Sequence, residues 1–340
     1  MFRLLGILLT LLLAIATAIV VWPQFFRLEQ TYPFAQLVAA RGLVLGGFLA
    51  VAVLSLLLLL VRPLRGFAAS VLIVALLGAG ATGIIGATRG FGDSSLPEKT
   101  DSSIRVLTWN TAGEAVSADE IATQILAQSA DIVSLPETSQ SVGESIAILL
   151  RDQGYPMWVH HVQYRPDVPD GPQSWQTTVL VSPELGDYSV IQSSEDGSSN
   201  TGSVPSAVLM PVDGEGPTIV AVHAVAPRLE EMDLWRSDLQ WIADQCPQGD
   251  VILAGDFNAT VDHMAPFGVD GGDMGYCRDV ASRTGNGLVG TWPSSLPALA
   301  GAPIDHVMAS PNWRPTGSLI FEDAGGSDHR GMVVQLEPVG

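Results

Sequence analysis

Three apolar runs near the start of the chain, at residues 4–22, 42–61 and 67–87, restrict that part of the molecule to helices. Each is long enough to cross a bilayer, where the backbone must satisfy its own hydrogen bonds. A buried core helix would account for one such run, but three in succession with almost no charge read as membrane spans. Arg3 precedes the first run, and Arg62 and Arg65 separate the second from the third, so these ends are expected on the cytoplasmic side. The first loop, residues 23–36, holds Arg27 and Glu29, is nearly neutral and falls outside. Arg41, at the outer edge of the second run, is expected to snorkel toward water. The third run then exits outward, and the N-terminus is cytoplasmic while everything after Arg89 is extracytoplasmic in the cell membrane. Ala14-Ile15-Ala16 also resembles a signal-cleavage site. If the first run is a cleaved signal, the two later runs still leave the C-terminal part outside.

Charge divides the chain in the same place. Residues 1–91 hold six of the 16 Lys/Arg and one of the 35 Asp/Glu. Residues 92–340 therefore hold ten bases against 34 acids, a net of −24, and Lys99 is their single lysine. Such a domain offers no basic stripe to a polyanion, which counts against a tightly bound or processive nuclease. A weakly held nucleic acid stays open, because a metal ion supplies local positive charge. The two cysteines, Cys246 and Cys277, lack zinc-ligand spacing. Outside the cytoplasm they read as a disulfide, with two separate buried thiols as the alternative.

Residues 90–103 are mostly polar, with Gly, Ser and Pro, and read as a linker between an anchor (1–89) and a soluble domain (104–340). Residues 104–109 form a strand ended by Asn110. Ser117 to Glu120 is a capping box opening a helix to about Gln128. Residues 131–135 are the next strand, and a second capping box, Ser141 to Glu144, opens a helix that stops at Gly154. Strand, helix, strand, helix argues for an α/β fold. Strands follow at 157–163, 176–181, 207–211 and 218–225, separated by Gly, Asp, Ser and Pro clusters such as 193–203. Met232, Trp235, Leu239 and Ile242 recur at helical spacing as a core face. The stretch VILAGDFNAT (251–260) is a buried strand, then a glycine that lets the backbone approach something closely, then Asp256 and Asn258. If the extended backbone continues, both side chains fall on the same side. A long irregular stretch, 261–302, contains GTWP, and strands at 303–308, 319–322 and 331–336 close the domain.

Polar residues interrupt the strand ends: Asn110, Glu137, His223, Asp256, Asn258, Asp305, Asp328 and His329. Carboxylate and amide oxygens suit a hard cation, Mg²⁺, Mn²⁺ or Ca²⁺. Two histidines beside carboxylates suit proton transfer near neutrality. A zinc site would take more His or Cys.

The motifs VLTWN (106–110), SLPE (134–137), VHAVAP (222–227), GDFN (255–258), IDH (304–306) and SDH (327–329), in this order and spacing, resemble the endonuclease/exonuclease/phosphatase, or DNase I-like, family over residues 104–337. The resemblance implies an α/β (α+β) four-layer sandwich of two mixed β-sheets flanked by helices, here preceded by three transmembrane helices. It also implies a divalent-metal phosphoesterase site at one edge. Glu137 would be the main metal ligand, assisted by Asn110 and Asp328. His329, paired with Asp305, would act as general base or as a phosphate-stabilising imidazolium. Asp256 would align or deprotonate water or bind a second metal, and Asn258 and His223 would donate hydrogen bonds to the phosphate. The substrate would be a phosphoester: a phospholipid, a small phosphorylated molecule or nucleic acid. A noncatalytic binding or sensor domain on a membrane stalk is the contrasting class.

Departures from the family pattern are also visible. Pro136 stands where the family often has Gln. Gln176 is the candidate for a further polar site residue, and no carboxylate partner for His223 is evident. Arg330 reads either as a phosphate contact or as a surface salt bridge. His263 is placed to line the cleft, His160 and His161 to be partly exposed, and His306 to point away from Asp305 by strand alternation. The sequon at Asn258 is expected to stay bare.

Overall fold

A computed structural model of the chain describes residues 2–92, 95–168, 171–191 and 200–339. The separator at 193–203 therefore lies partly outside the described residues, as do linker residues 93–94. Four helices come first: α1 (Phe2–Val21), α2 (Phe34–Ala39), α3 (Arg41–Leu58) and α4 (Arg65–Arg89). The segments Leu4–Val21, Arg41–Leu58 and Arg62–Arg89 are long and apolar enough to cross a membrane. Helices α3 and α4 meet so closely that a Cβ on Gly78 would lie 2.7 Å from the Phe48 ring, the small-residue contact typical of packed spans. Leu8, Leu54, Leu57 and Leu77 on these helices are exposed, an apolar surface suited to hydrocarbon.

The remaining chain runs β1 (Ile104–Thr108), α5 (Ala118–Gln128), β2 (Ile132–Pro136), α6 (Gln140–Asp152), β3 (Trp158–Gln163), β4 (Gln176–Val181), β5 (Tyr188–Ile191), β6 (Ala207–Pro211), β7 (Thr218–His223) and α7 (Met232–Asp244). It continues through β8 (Val251–Asp256), α8 (Val261–Met264), β9 (Arg278–Asp279), α9 (Val280–Arg283), β10 (Asp305–Ala309), β11 (Trp313–Ile320) and β12 (Met332–Pro338). Two six-stranded mixed sheets result, in the orders β11-β12-β1-β2-β4-β3 and β5-β6-β7-β8-β10-β9.

Side chains of the inner strands β2, β4, β7, β8 and β10 are buried on both faces, which is why these strands read as nearly continuous apolar runs, while β3, β5, β6 and β11 expose part of theirs. Val106, Ile132, Ile219, Ile252 and Val307 point between the sheets. Their neighbours Leu107 and Val133 pack outward under Ile121, Ile125, Ile146 and Leu150 of α5 and α6. Val220 and Leu253 pack under Trp235, Leu239 and Ile242 of α7. The four layers are therefore helix, sheet, sheet, helix. Cys246 and Cys277 form a disulfide between the end of α7 and the loop before β9.

Local details differ from expectation in four places. The stretch expected to be irregular, 261–302, holds α8, β9 and α9. The cap of α6 is Ser139, whose hydroxyl accepts from the Val142 N–H, and Ser141 lies inside the first turn. Strand β11 begins six residues earlier than its apolar segment suggested. It is an edge strand with a register shift between Pro315 and Gly317, a place where proline costs no ladder bond. The linker is bonded to the domain on both sides of residues 93–94: the Gly92 N–H donates to Gly285, and Glu98 accepts from Gln335 Nε2.

Candidate active site

Strand register brings the site together. β7 and β8 run parallel with His223 opposite Asp256. β8 and β10 run antiparallel with Asp305 opposite the same Asp256. These three side chains thus sit at one level across three strands. Gly255 permits this, since a Cβ there would lie 1.9 Å from the Val222 carbonyl oxygen of the adjacent strand. From the facing sheet, Asn110 follows β1 and Glu137 follows β2, and Ser134 Oγ crosses between the sheets to donate to the Ala254 carbonyl at 2.8 Å.

Hydrogen bonds link the residues from both sheets. Asn110 Nδ2 donates to Asp256 Oδ2 at 3.0 Å and to Glu137 Oε1 at 3.3 Å. His329 Nδ1 donates to Asp305 Oδ2 at 2.8 Å, and its Nε2 lies 3.8 Å from Asp256 Oδ2 and 4.0 Å from Asp328 Oδ1. Asp256 and Asn258 meet differently from the alternation expected of an extended strand. The strand ends at Asp256, and Asn258 turns into the left-handed region at φ 46°. Its N–H then donates to Asp256 Oδ1 at 2.8 Å, and its Nδ2 to Asp256 Oδ2 at 3.2 Å and the Ala224 carbonyl at 2.9 Å. Glu137 is also left-handed, at φ 60°. Non-glycine residues in that region cost energy and persist where surrounding bonds hold them, here the Gln176 carbonyl on the Glu137 N–H at 2.9 Å.

Burial and like charge set the electrostatics. Burial pushes the Asp256 carboxyl up, and Asp305 adds to this, so that it titrates at about 7 despite the opposing His329. Burial alone would lower His329, but Asp305 and Asp256 override it and raise the ring to about 10. Burial lowers His223 to about 3, with His329 contributing, so it is neutral at pH 7. Its Nε2 approach to Glu137 Oε1, at 3.8 Å, is therefore not an ion pair. His223 Nδ1 has no hydrogen-bond partner among the described residues, in line with the missing carboxylate partner. Burial also raises Glu137, against the Asn110 hydrogen bond.

Among the described residues, one group of three could supply metal-ligating atoms, Asp256, Asp305 and His329, all within 4.8 Å of one another. Asp305 Oδ1 is buried with no hydrogen-bond partner among the described residues. Two buried like-charged carboxylates with an orphaned oxygen, flanked by Glu137, form a donor set suited to a hard divalent cation; Asn110 would join it only with its amide turned over, since Nδ2 faces the carboxylates and Oδ1 accepts from the Ala112 N–H. Asp328 is more peripheral. Its side chain is 59% exposed and accepts from Trp292 Nε1 at 3.0 Å.

Several supporting residues escaped the sequence reading. Ser327 Oγ donates to the Asn110 carbonyl and accepts from the His329 N–H, pinning the SDH turn to β1. Thr111 Oγ1 donates to the Glu137 carbonyl. Trp292 belongs to the noted GTWP stretch, yet only packing brings it to Asp328. Arg330 forms no surface salt bridge among the described residues, and its guanidinium is committed elsewhere. It is buried and donates to the carbonyls of Gly290, Pro293, Ser294 and Leu296 at 2.6–3.4 Å. Arg330→Ala is expected to cost about 2–4 kcal/mol, from several charge-assisted bonds lost, read as a lower Tm of the full chain. His263 also turns away from the cleft: its Nδ1 accepts from the Thr260 N–H, so Nε2 carries the proton and donates to the Ala35 carbonyl. His306 points away from Asp305, as alternation requires, and pairs with Asp279 at 2.9 Å. His161 is half-buried and bonds Thr178, while His160 Nε2 has no partner among the described residues.

Comparison with known proteins agrees with this geometry. The model of the Endonuclease/Exonuclease/phosphatase family matches residues 107–329. No curated protein matches the chain significantly by sequence. Among solved structures, an endonuclease/exonuclease/phosphatase from Beutenbergia cavernae is similar at 22% identity, covering 70% of this chain and 72% of that one, with a TM-score of 0.53. A family protein from Leptotrichia buccalis is similar at 15% identity, covering 69% and 99%, with a TM-score of 0.50. The human Nocturnin catalytic domain with bound sulfate anion is similar at 17% identity, covering 70% and 94%, with a TM-score of 0.50. The order of the six motifs, the two-sheet sandwich and the family match agree: this chain belongs to the endonuclease/exonuclease/phosphatase family, a family of metal-dependent enzymes that hydrolyse phosphoester bonds.

Proposed function

We propose that the chain is a membrane-embedded, metal-dependent phosphoesterase whose catalytic domain lies on the extracytoplasmic side. The observation that carries this reading is the Asp256–Asp305–His329 group, three buried side chains whose ligand-type atoms lie within 4.8 Å of one another, with His329 Nδ1 held on Asp305 at 2.8 Å. Glu137, Asn110 and Asp328 would hold the cation, with the Asp256 group beside them. A bound cation would supply charge neutralisation and polarisation of the phosphoryl group. Asp256, whose carboxyl burial and Asp305 push upward, is suited to orient the attacking water and accept its proton as the phosphoester bond to the leaving oxygen breaks. Asp305 orients the His329 ring, whose Nε2–H donates to the phosphate. Neutral His223 adds an uncharged donor where negative charge develops, while Asn258, expected to donate to the phosphate, spends its Nδ2 on Asp256 and the Ala224 carbonyl and so holds Asp256 in place.

Two features favour a phospholipid or small phosphorylated molecule over nucleic acid: the net charge of −24 on residues 92–340 and the apolar N-terminal helices. The nuclease reading remains the second one, since the family is named for endonucleases and exonucleases as well as phosphatases. Arg41 and Arg89 lie at helix ends facing the domain, which supports a domain on the side opposite Arg62 and Arg65.

The test uses the full chain in lipid nanodiscs with Mg²⁺, Mn²⁺ or Ca²⁺, on plasmid DNA, RNA, choline phospholipids and a bis-aryl phosphodiester. Hydrolysis that EDTA abolishes and added cation restores is the expected result, and the preferred substrate decides between the two readings. A folded chain without metal-dependent turnover of any phosphoester would remove the enzyme reading in favour of a binding or sensor domain.

A further inference from the structure

We propose that Asp262 is a positioning residue through which the ends of two membrane helices hold the loop carrying Asp256 and Asn258, making the anchor a working part of the active site. This rests on the reading above, in which those two residues act on a phosphoester.

Asp262 follows Asn258 by four residues, in α8. Its carboxylate is buried and lies between two guanidinium groups that come from opposite ends of the spanning segments. Arg41, the first residue of α3, donates from Nε and, at 2.7 Å, from Nη2. Arg89, the last residue of α4, donates from Nη1 at 2.7 Å and Nη2 at 2.9 Å. Gln24 Nε2 adds a bond at 2.9 Å. Arginine at the end of a membrane helix ordinarily snorkels to water or head groups, as expected for Arg41 from the sequence. Here Arg41 is instead buried, and both forks close on one carboxylate, the geometry that fixes position as well as charge.

Neighbouring contacts repeat the pattern. His263 donates to the Ala35 carbonyl at 2.9 Å, and its own carbonyl accepts from Gln30 at 2.7 Å. Gln36 donates to the Pro227 carbonyl at 2.6 Å, at the end of the VHAVAP segment that begins with Val222 and His223. Gly42 of α3 lies so close to the Leu299 carbonyl that a Cβ there would sit at 1.6 Å. Leu299 belongs to the loop whose Trp292 bonds Asp328. Three segments that carry site residues therefore rest on the anchor, and the buried ion cluster joins it to the GDFN loop.

The test is made on the full chain in nanodiscs, with kcat and KM measured separately on a bis-aryl phosphodiester and amide hydrogen exchange followed at residues 257–264. Arg41→Gln and Arg89→Gln are expected to lower kcat about tenfold or more with KM changed less than about twofold, because a small misplacement of reacting groups is costly. Arg41→Lys, which keeps the charge but not the fork, is expected to fall between. In the Gln variants, amides 257–264 are expected to exchange at least about tenfold faster, while β1 and β2 keep their rates. Wild-type kcat in both Gln variants overturns the proposal whatever the exchange shows. So does a uniform rise in exchange across both sheets with kcat per folded molecule unchanged, which marks a merely structural role. If wild type itself hydrolyses no phosphoester, the enzyme reading fails. The exchange measurement then decides the positioning alone: selective loss of protection at 257–264 supports it, and unchanged protection overturns it.

Discussion

His329→Ala in the full-length protein is expected to lower kcat by about 10³-fold or more, the range in which a positioned proton-bearing group and an electrostatic donor each contribute. The imidazole bonds Asp305 through Nδ1 at 2.8 Å and presents Nε2 to Asp256 at 3.8 Å. Alanine removes both, and it leaves Asp305 buried with neither carboxylate oxygen bonded, because Oδ1 already has no hydrogen-bond partner among the described residues. A stability loss of about 3–5 kcal/mol should accompany the kinetic one. His329→Asn separates the two effects. Its amide can replace the Nδ1–H on Asp305 but carries no titratable proton, so stability should largely return while kcat stays low. A His329→Asn protein with wild-type kcat would show that the imidazole neither moves a proton nor supplies the charge that the mechanism assigns to it.

Asp262→Ala should produce the largest stability loss away from the catalytic centre, about 3–5 kcal/mol, because it leaves Arg41 and Arg89 facing one another without their anion. For an extramembrane domain of this size that corresponds to a fall in Tm on the order of 10 °C. Adding Arg41→Met should restore part of it, since the uncompensated buried charge is the cause. A shift below about 2 °C would mean that water screens the cluster after all. The same cluster sets an acid limit. Burial alone would push the Asp262 carboxyl up, but Arg89 and Arg41 hold it below its ordinary value of 3.8. A depressed carboxylate contributes stability that is fully present above that ordinary value and is lost as the pH falls through it and through the lower folded value. Wild type should therefore lose Tm more steeply than Asp262→Asn below about pH 4, measured in matched nanodiscs.

Particular residues show which parts of the molecule were legible in the sequence. The strands ending at Asn110, Glu137, His223 and Asp256 could be read because each is an apolar run buried on two faces and closed by a polar residue. The start of α5 could be read from Ser117 because a cap acts over three residues. Placing Ser139 rather than Ser141 at the cap of α6 depended on backbone conformation: only Ser141 has glutamate three residues on, but Ser139 has the extended backbone of a cap. The meeting of Asp256 with Asn258 was anticipated for a different reason from the one observed: a left-handed turn, not strand alternation, brings the two together.

Sequence by itself determined what short-range chemistry encodes: the apolar helices, the strand and helix periods, the order of the six motifs and the oxygen-rich character of the site. Tertiary structure alone decided the long pairings. Arg41 and Arg89 reach Asp262 across 221 and 173 residues, Trp292 reaches Asp328 across 36, and His263 turns away from the cleft to a carbonyl 228 residues earlier. Local propensity and hydrophobic period act over a few residues, whereas a buried charge takes whichever partner the packed layers bring within reach. That partner exists only once the sheets, the flanking helices and the helix ends have come together.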